Sequence, residues 1–216
     1  MDGFEKYIPF ISDSWKEKHQ AILEKEHVKN LEGNIRAYKE NRLDWDLPYF
    51  TEEIKINRHD IFDRIIRLLE SNNSDEVKAI KLEETPFEDW LIVLGQRLTP
   101  ASIRDENAIP PLQHVLINAC EEPFNNEITI AQRAWEKHTG RMDDHFWGEV
   151  KGNNQQKQEK VMKRICYILE NQTWWNVFFH YKHGLVFEVR EKEGHGIRWS
   201  HGGTKLIGFL EKFINE

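Results

Sequence analysis

The chain has 216 residues, 39% hydrophobic and 31% charged, the balance of a folded globular protein rather than a disordered one. Its formal net charge is −7 and its pI is about 5.8, an acidic total that argues against non-specific wrapping of nucleic acid. No apolar run approaches the roughly 20 residues of a membrane span, and Met1 to Lys6 lacks the basic-then-apolar pattern of a secretory signal, so a cytoplasmic protein is expected.

The first half reads as helical. Ser12 is placed to cap a helix carrying Trp15, Ile22 and Leu23. Leu31, Ile35 and Tyr38 recur at helical spacing on one face. Asp44 to Pro48 breaks the pattern. An amphipathic helix is expected over 58–71, with Ile61, Ile65, Leu68 and Leu69 as its apolar stripe. Thr85, Pro86 and Glu88 suggest a capping box opening a helix to Gly95 or Leu98. A further helix over 111–121 ends before Pro123, and the polar segment 122–126 divides a helical region, 1–125, from a second unit, 126–216.

The second unit changes character. Thr129 and Gln132 form a capping-box pattern for a helix over 129–139. Asn153 precedes another, reaching Asn171. Beyond it, Trp174 to Tyr181 is aromatic and β-prone, and Leu185 to Glu191 alternates apolar with charged. Two more glycine-rich turns then lead into short strands at Ile197 and Leu206. The expected fold is α+β: a helical N-terminal half packed with a C-terminal unit of two helices and a short antiparallel β-meander.

The chemistry concentrates late in the chain. Five of eight tryptophans and six of ten histidines fall within residues 135–201. Within that stretch, Gly194 and Gly196 flank His195, with Arg198 and Trp199 just beyond. Glycines permit close approach of a ligand, arginine grips carboxylate or phosphate in bidentate fashion, and histidine gives or takes a proton near neutral pH. The leading expectation is therefore a pocket for a small polar or anionic ligand, needing no cofactor. Arg198 binds the anion, His195 donates or moves a proton, Trp199 and Trp147 form walls, and Arg133 or His138 completes the site from the facing helix.

Two other readings compete. Asp144, Glu149 and Lys151 suggest the acid and Glu-x-Lys layout of Mg²⁺-dependent nucleases or phosphoesterases, although the spacing is tighter than usual. An acidic surface bearing aromatic groups also suits a protein-interaction module of inhibitor or immunity type that captures a basic partner. His180, His183, His195 and His201 match no metal motif. Cys120 and Cys166 sit in apolar helical patterns, as buried free thiols of a reducing compartment do. Of Trp174 and Trp175, neighbours on one strand, at least one is expected to point inward.

The segments Val186 to Arg190, Gly194 to Trp199 and Gly208 to Glu211 together resemble a pattern found in small proteins. These pair an aromatic strand with a glycine-flanked Arg-Trp turn and a closing Gly-Phe-Leu-Glu. The resemblance covers the last third of the chain and implies no activity, substrate or catalytic residue.

Overall fold

The computed structural model describes residues 3–141 and 145–213. The fold is α+β, with helices making up about half of the chain beside a four-stranded antiparallel sheet. It divides into two compact units. The first comprises Met1–Asp44, Ile54–Leu98 and Ile103–Ile109, and the second Trp45–Glu53, Thr99–Ser102 and Pro110–Glu216.

The first unit is helical: α1 (Asp13–Lys18), α2 (Lys25–Lys39), α3 (Arg58–Glu70), α4 (Asp75–Glu83) and α5 (Phe87–Leu94). Ser12 caps α1 by accepting from the Trp15 amide, and its hydroxyl donates to Glu83 Oε2 at 2.6 Å. The expected stripes face inward in part: Leu31 and Ile35 of α2, and Ile65 and Leu69 of α3, are buried, whereas Tyr38, Ile61 and Leu68 are half-buried and Phe62 and Ile66 complete the buried face of α3. Trp90 to Leu94 is buried throughout, so α5 is the unit's central helix. One local expectation is corrected and one helix is added. The Thr85 hydroxyl donates to the Lys81 carbonyl at the end of α4, so Pro86 caps α5 with no side-chain bond. And α4 escaped the periodicity because it buries Lys78 beside Ala79 and Leu82 while leaving Val77 and Ile80 exposed. The Lys78 ammonium is satisfied by the Leu69 carbonyl at 2.8 Å.

The second unit contains α6 (Gln113–Glu121), α7 (Ile130–Thr139) and α8 (Asn154–Glu170), then β1 (Gln172–His180), β2 (Gly184–Glu191), β3 (Gly196–Ser200) and β4 (Leu206–Leu210). The strands pair in chain order as an antiparallel meander. Thr129 caps α7 by accepting from the Gln132 amide, but the Gln132 side chain donates to Glu136 and Asn154 rather than closing the box. The reciprocal box forms instead at Asn153 and Gln156 of α8.

Strand alternation sorts the sheet into two chemically different faces. Trp175, Val177, Phe187, Val189, Ile197, Trp199 and Phe209 share the face toward the helices. All are buried, and the Trp199 indole donates to the Leu116 carbonyl of α6. Trp174, Asn176, Glu188, Arg190 and Arg198 share the other. Both tryptophans of the adjacent pair are therefore buried, one on each face. The segments 45–53 and 99–102 lie against the polar face, where Phe50 meets Trp174 edge-on and Asn176 donates to Ser102 Oγ at 2.8 Å.

On that face Glu188, 2% exposed, accepts from Arg190 Nε at 2.6 Å and from Arg198 Nε and Nη2 at 2.7 and 2.6 Å. Removing the shared carboxylate leaves two poorly hydrated guanidinium groups facing each other. Glu188→Ala is expected to destabilise the chain by about 3 kcal/mol, read as a lowered urea midpoint in tryptophan fluorescence.

Candidate functional site

The site is assembled from the C-terminal end of α7, the turn between β2 and β3, and the residue that follows β4. At the turn, the Glu191 carboxylate accepts from the Glu193 amide at 3.0 Å and the His195 amide at 3.1 Å. The same carboxylate stands 3.2 Å from His195 Nδ1. The other nitrogen of that ring, Nε2, lies 4.0 Å from Glu211 Oε2. Glu211 Oε1 in turn stands 2.5 Å from His138 Nε2 on α7. The result is a row of four titratable groups: Glu191, His195, Glu211 and His138. Its inner end is sealed, with Glu191 and His195 1% and 4% exposed. Its outer end is less buried, with His138 and Glu211 17% and 19% exposed, although the facing atoms His138 Nε2 and Glu211 Oε1 are themselves shielded from solvent.

Aromatic rings hold the row in place. Phe146 stacks on His195 with centroids 3.8 Å apart and planes 3° from parallel, and the Arg164 guanidinium of α8 lies over the Phe146 ring at 4.5 Å. Trp147 meets His138 edge-on at 5.2 Å and His195 at 6.2 Å. Behind the row, Arg190 Nη1 donates to the Gly194 carbonyl at 2.5 Å and the Glu211 carbonyl at 2.7 Å. One guanidinium thus ties the His195 turn to the segment carrying Glu211.

Three of the residues expected from the sequence come together here: His195, His138 and Trp147. Others do not. The Arg198 guanidinium is taken up by Glu188 on the opposite face, so it is no anion clamp for this site. Trp199 is fully buried core rather than a pocket wall. Arg133 lies over the Phe124 ring at 4.1 Å, away from the row. Glu149 and Lys151 form an exposed pair at 2.6 Å on an irregular segment, not on the strand that a Glu-x-Lys nuclease requires, and Lys151 is the cause of the lowered Glu149 pKa. Asp144 lies outside the described residues. Among those described, no group of three or more His, Cys, Asp or Glu is arranged to hold a metal ion.

The glycines of the turn serve the sheet rather than a ligand. A Cβ on Gly196 would lie 2.3 Å from the Val189 carbonyl of the neighbouring strand, and Gly194 has φ +102°. Glu191 and Glu211 were missed by sequence reasoning. Glu191 looked like one charge in an alternating strand, and nothing local links Glu211 to a histidine 73 positions earlier.

Charge is also unevenly spread. Residues 1–116 carry 16 basic and 23 acidic side chains, whereas 117–216 carry 14 of each. The acidic total that argued against nucleic acid therefore belongs to the N-terminal stretch alone.

Comparison with known proteins bears on the same C-terminal region. Residues 117–211 match a family model described as the CdiA C-terminal tRNase toxin domain. A crystal structure of the toxic C-terminal tip of CdiA from Pseudomonas aeruginosa, in complex with an immune protein, includes a chain 27% identical to this one. The alignment covers 44% of this chain and 99% of that one, with a TM-score of 0.38. No curated protein matches. The family match corrects the expectation of a protein defined by binding a small ligand. The matching family is named for toxins that act on tRNA, and four residues of the row lie within the matched segment.

Two outcomes test this geometry. Gly196→Ala is expected to cost about 2 kcal/mol, because its methyl group meets a strand carbonyl that cannot retreat; denaturant titration reads the loss. Burial pushes the Cys120 thiol up to about 12, so iodoacetamide at pH 8 should leave Cys120 unmodified in the folded chain and label it in urea, as followed by mass spectrometry.

Proposed function

We propose that the C-terminal unit cleaves RNA, with tRNA as its substrate class. The observation that carries this reading is the row His138, Glu211, His195 and Glu191, lying wholly within the segment that matches the tRNase toxin family. RNA supplies its own nucleophile, so the protein needs chiefly to move protons. A base takes the proton of a 2′-hydroxyl, the 2′ oxygen bonds to the adjacent phosphorus, and the bond from phosphorus to the 5′ oxygen breaks. An acid gives that departing oxygen a proton. The products are a 2′,3′-cyclic phosphate and a 5′-hydroxyl. Imidazole and carboxylate groups suit both proton transfers near neutral pH.

Exposure divides the roles. His138 and Glu211 are the less buried pair, and a phosphodiester that displaces the contact between Nε2 and Oε1 meets one as base and the other as acid. His195 and Glu191 are buried and act as positioning residues, bracing Glu211 from within. The Phe146 stack prevents the His195 ring from turning, and Arg190 fixes the spacing between the two segments. Exposed Arg141 and Lys212 lie next in sequence to the α7 terminus and to Glu211, and supply positive charge for the backbone on either side of the cut.

The test is incubation of the purified chain with total tRNA, with end-group analysis of the fragments. Cyclic phosphate and 5′-hydroxyl ends are expected. His138→Ala and Glu211→Gln should each lower the rate by about 100-fold or more, while the far-ultraviolet circular dichroism stays unchanged. Intact tRNA at high protein concentration, or undiminished cutting by both variants, would sink the proposal.

A further inference from the structure

The two turns at the end of the sheet remote from the histidine–glutamate row have no part in the chemistry above. They join β1 to β2 and β3 to β4, and antiparallel pairing brings them side by side: Val186 pairs with Ser200, and the His201 amide donates to the Leu185 carbonyl at 3.2 Å. Phe179 and Tyr181 project there, 60% and 78% exposed, the two most exposed of the large hydrophobic side chains among the described residues. Lys182 is exposed and lies over the Tyr181 ring at 5.3 Å, and Lys205 is exposed on the neighbouring turn. His183, His180 and Tyr181 continue the ring system, with His180 stacked against both of the others at 4.9 Å.

The charge around these rings is one-sided. Residues 171–187 and 194–210 contain no Asp or Glu, in a chain that has 37 of them. Burial and the positive charges of Arg198, His183 and Lys182 hold the His180 pKa below its ordinary value, although Glu188 opposes them. A surface that keeps aromatic faces in water, rims them with cations and draws its turns from segments without Asp or Glu has the chemistry of a single-stranded nucleic-acid platform.

We infer that this end of the sheet docks the RNA substrate, with Phe179 and Tyr181 stacking on unpaired bases and Lys182 and Lys205 holding the adjoining phosphates. The inference rests on the reading of the C-terminal unit as an RNA-cleaving domain. From Gly184 to Glu191 the strand spans about 23 Å at its usual rise per residue. A folded RNA with an exposed loop covers that distance, so a loop gripped at one end of the sheet presents its neighbouring backbone to the row at the other.

Equilibrium binding separates this inference from the cleavage proposal, because it needs no turnover. The Glu211→Gln chain is titrated with tRNA over a range of salt. Adding Phe179→Ala and Tyr181→Ala should weaken binding by about tenfold or more without changing the salt slope. Adding Lys182→Gln and Lys205→Gln should instead flatten the slope of log K against log salt by about 1 per lysine. Melting temperatures confirm that these exposed substitutions leave the fold intact. Unchanged affinity and slope in both sets overturn the docking surface, even if the unaltered chain cuts tRNA. Loss of binding as described supports it, even if the assignment of the row to catalysis fails. Wild-type affinity for tRNA together with lost affinity for a protein inhibitor marks a protein interface instead, and overturns the inference as well.

Discussion

The C-terminal unit is organised around a carboxylate that water scarcely reaches. Glu188 sits between Arg190 and Arg198, and taking a charge of either sign out of water is costly unless its partners are close and well aligned. The arrangement meets that demand and does more. With Nε committed to Glu188, Arg190 has Nη1 left to gather two main-chain carbonyls, one from the turn after β2 and one from the residue after β4. Those two segments carry His195 and Glu211. Phe213 closes over the same guanidinium at 3.9 Å and stacks on Phe50. The polar face of the sheet thereby sets the spacing of groups on the helix-facing side, through the backbone rather than through side-chain contact.

The row itself is graded from inside to outside. Glu191 is held by the amides of its own turn, His195 is clamped between Glu191 and the Phe146 ring, and Glu211 and His138 are partly exposed. A base or acid whose neighbours are rigid loses little freedom when substrate arrives, which is the physical benefit of preorganisation. The first unit is a helical assembly of its own. Its buried ionisable groups have structural partners, such as Lys78 on the Leu69 carbonyl and Asp89 on Arg64.

Much of the fold was legible in the chain. The 58–71 stripe, the Ser12 and Thr129 caps, the α8 start at Asn153 and the β-meander all follow from local rules of spacing, capping and alternation. The misreadings arose where tertiary contacts outweighed those rules. Helix α4 buries a lysine, because a carbonyl of α3 satisfies it, and so lacks a clean apolar stripe. The Gly194 to Trp199 turn looked like a ligand cradle because glycines, histidine and arginine adjoin there. Alternation sends Arg198 to one face and Trp199 to the other, and the glycines accommodate a neighbouring strand.

The sequence by itself determined that the last third of the chain forms an antiparallel meander beside two capped helices, and that histidine chemistry gathers in it. These are consequences of periods of two and 3.6 residues, which act over a few neighbours. Only the tertiary structure decided which of those histidines lie together. His138 and His195 lie 57 positions apart, and the carboxylate between them comes from a third place in the chain, beyond the last strand. Strand register and the Arg190 clamp bring His195 and Glu211 together, and the packing of α7 against Phe209 of β4 adds His138; these contacts join segments that no local pattern links.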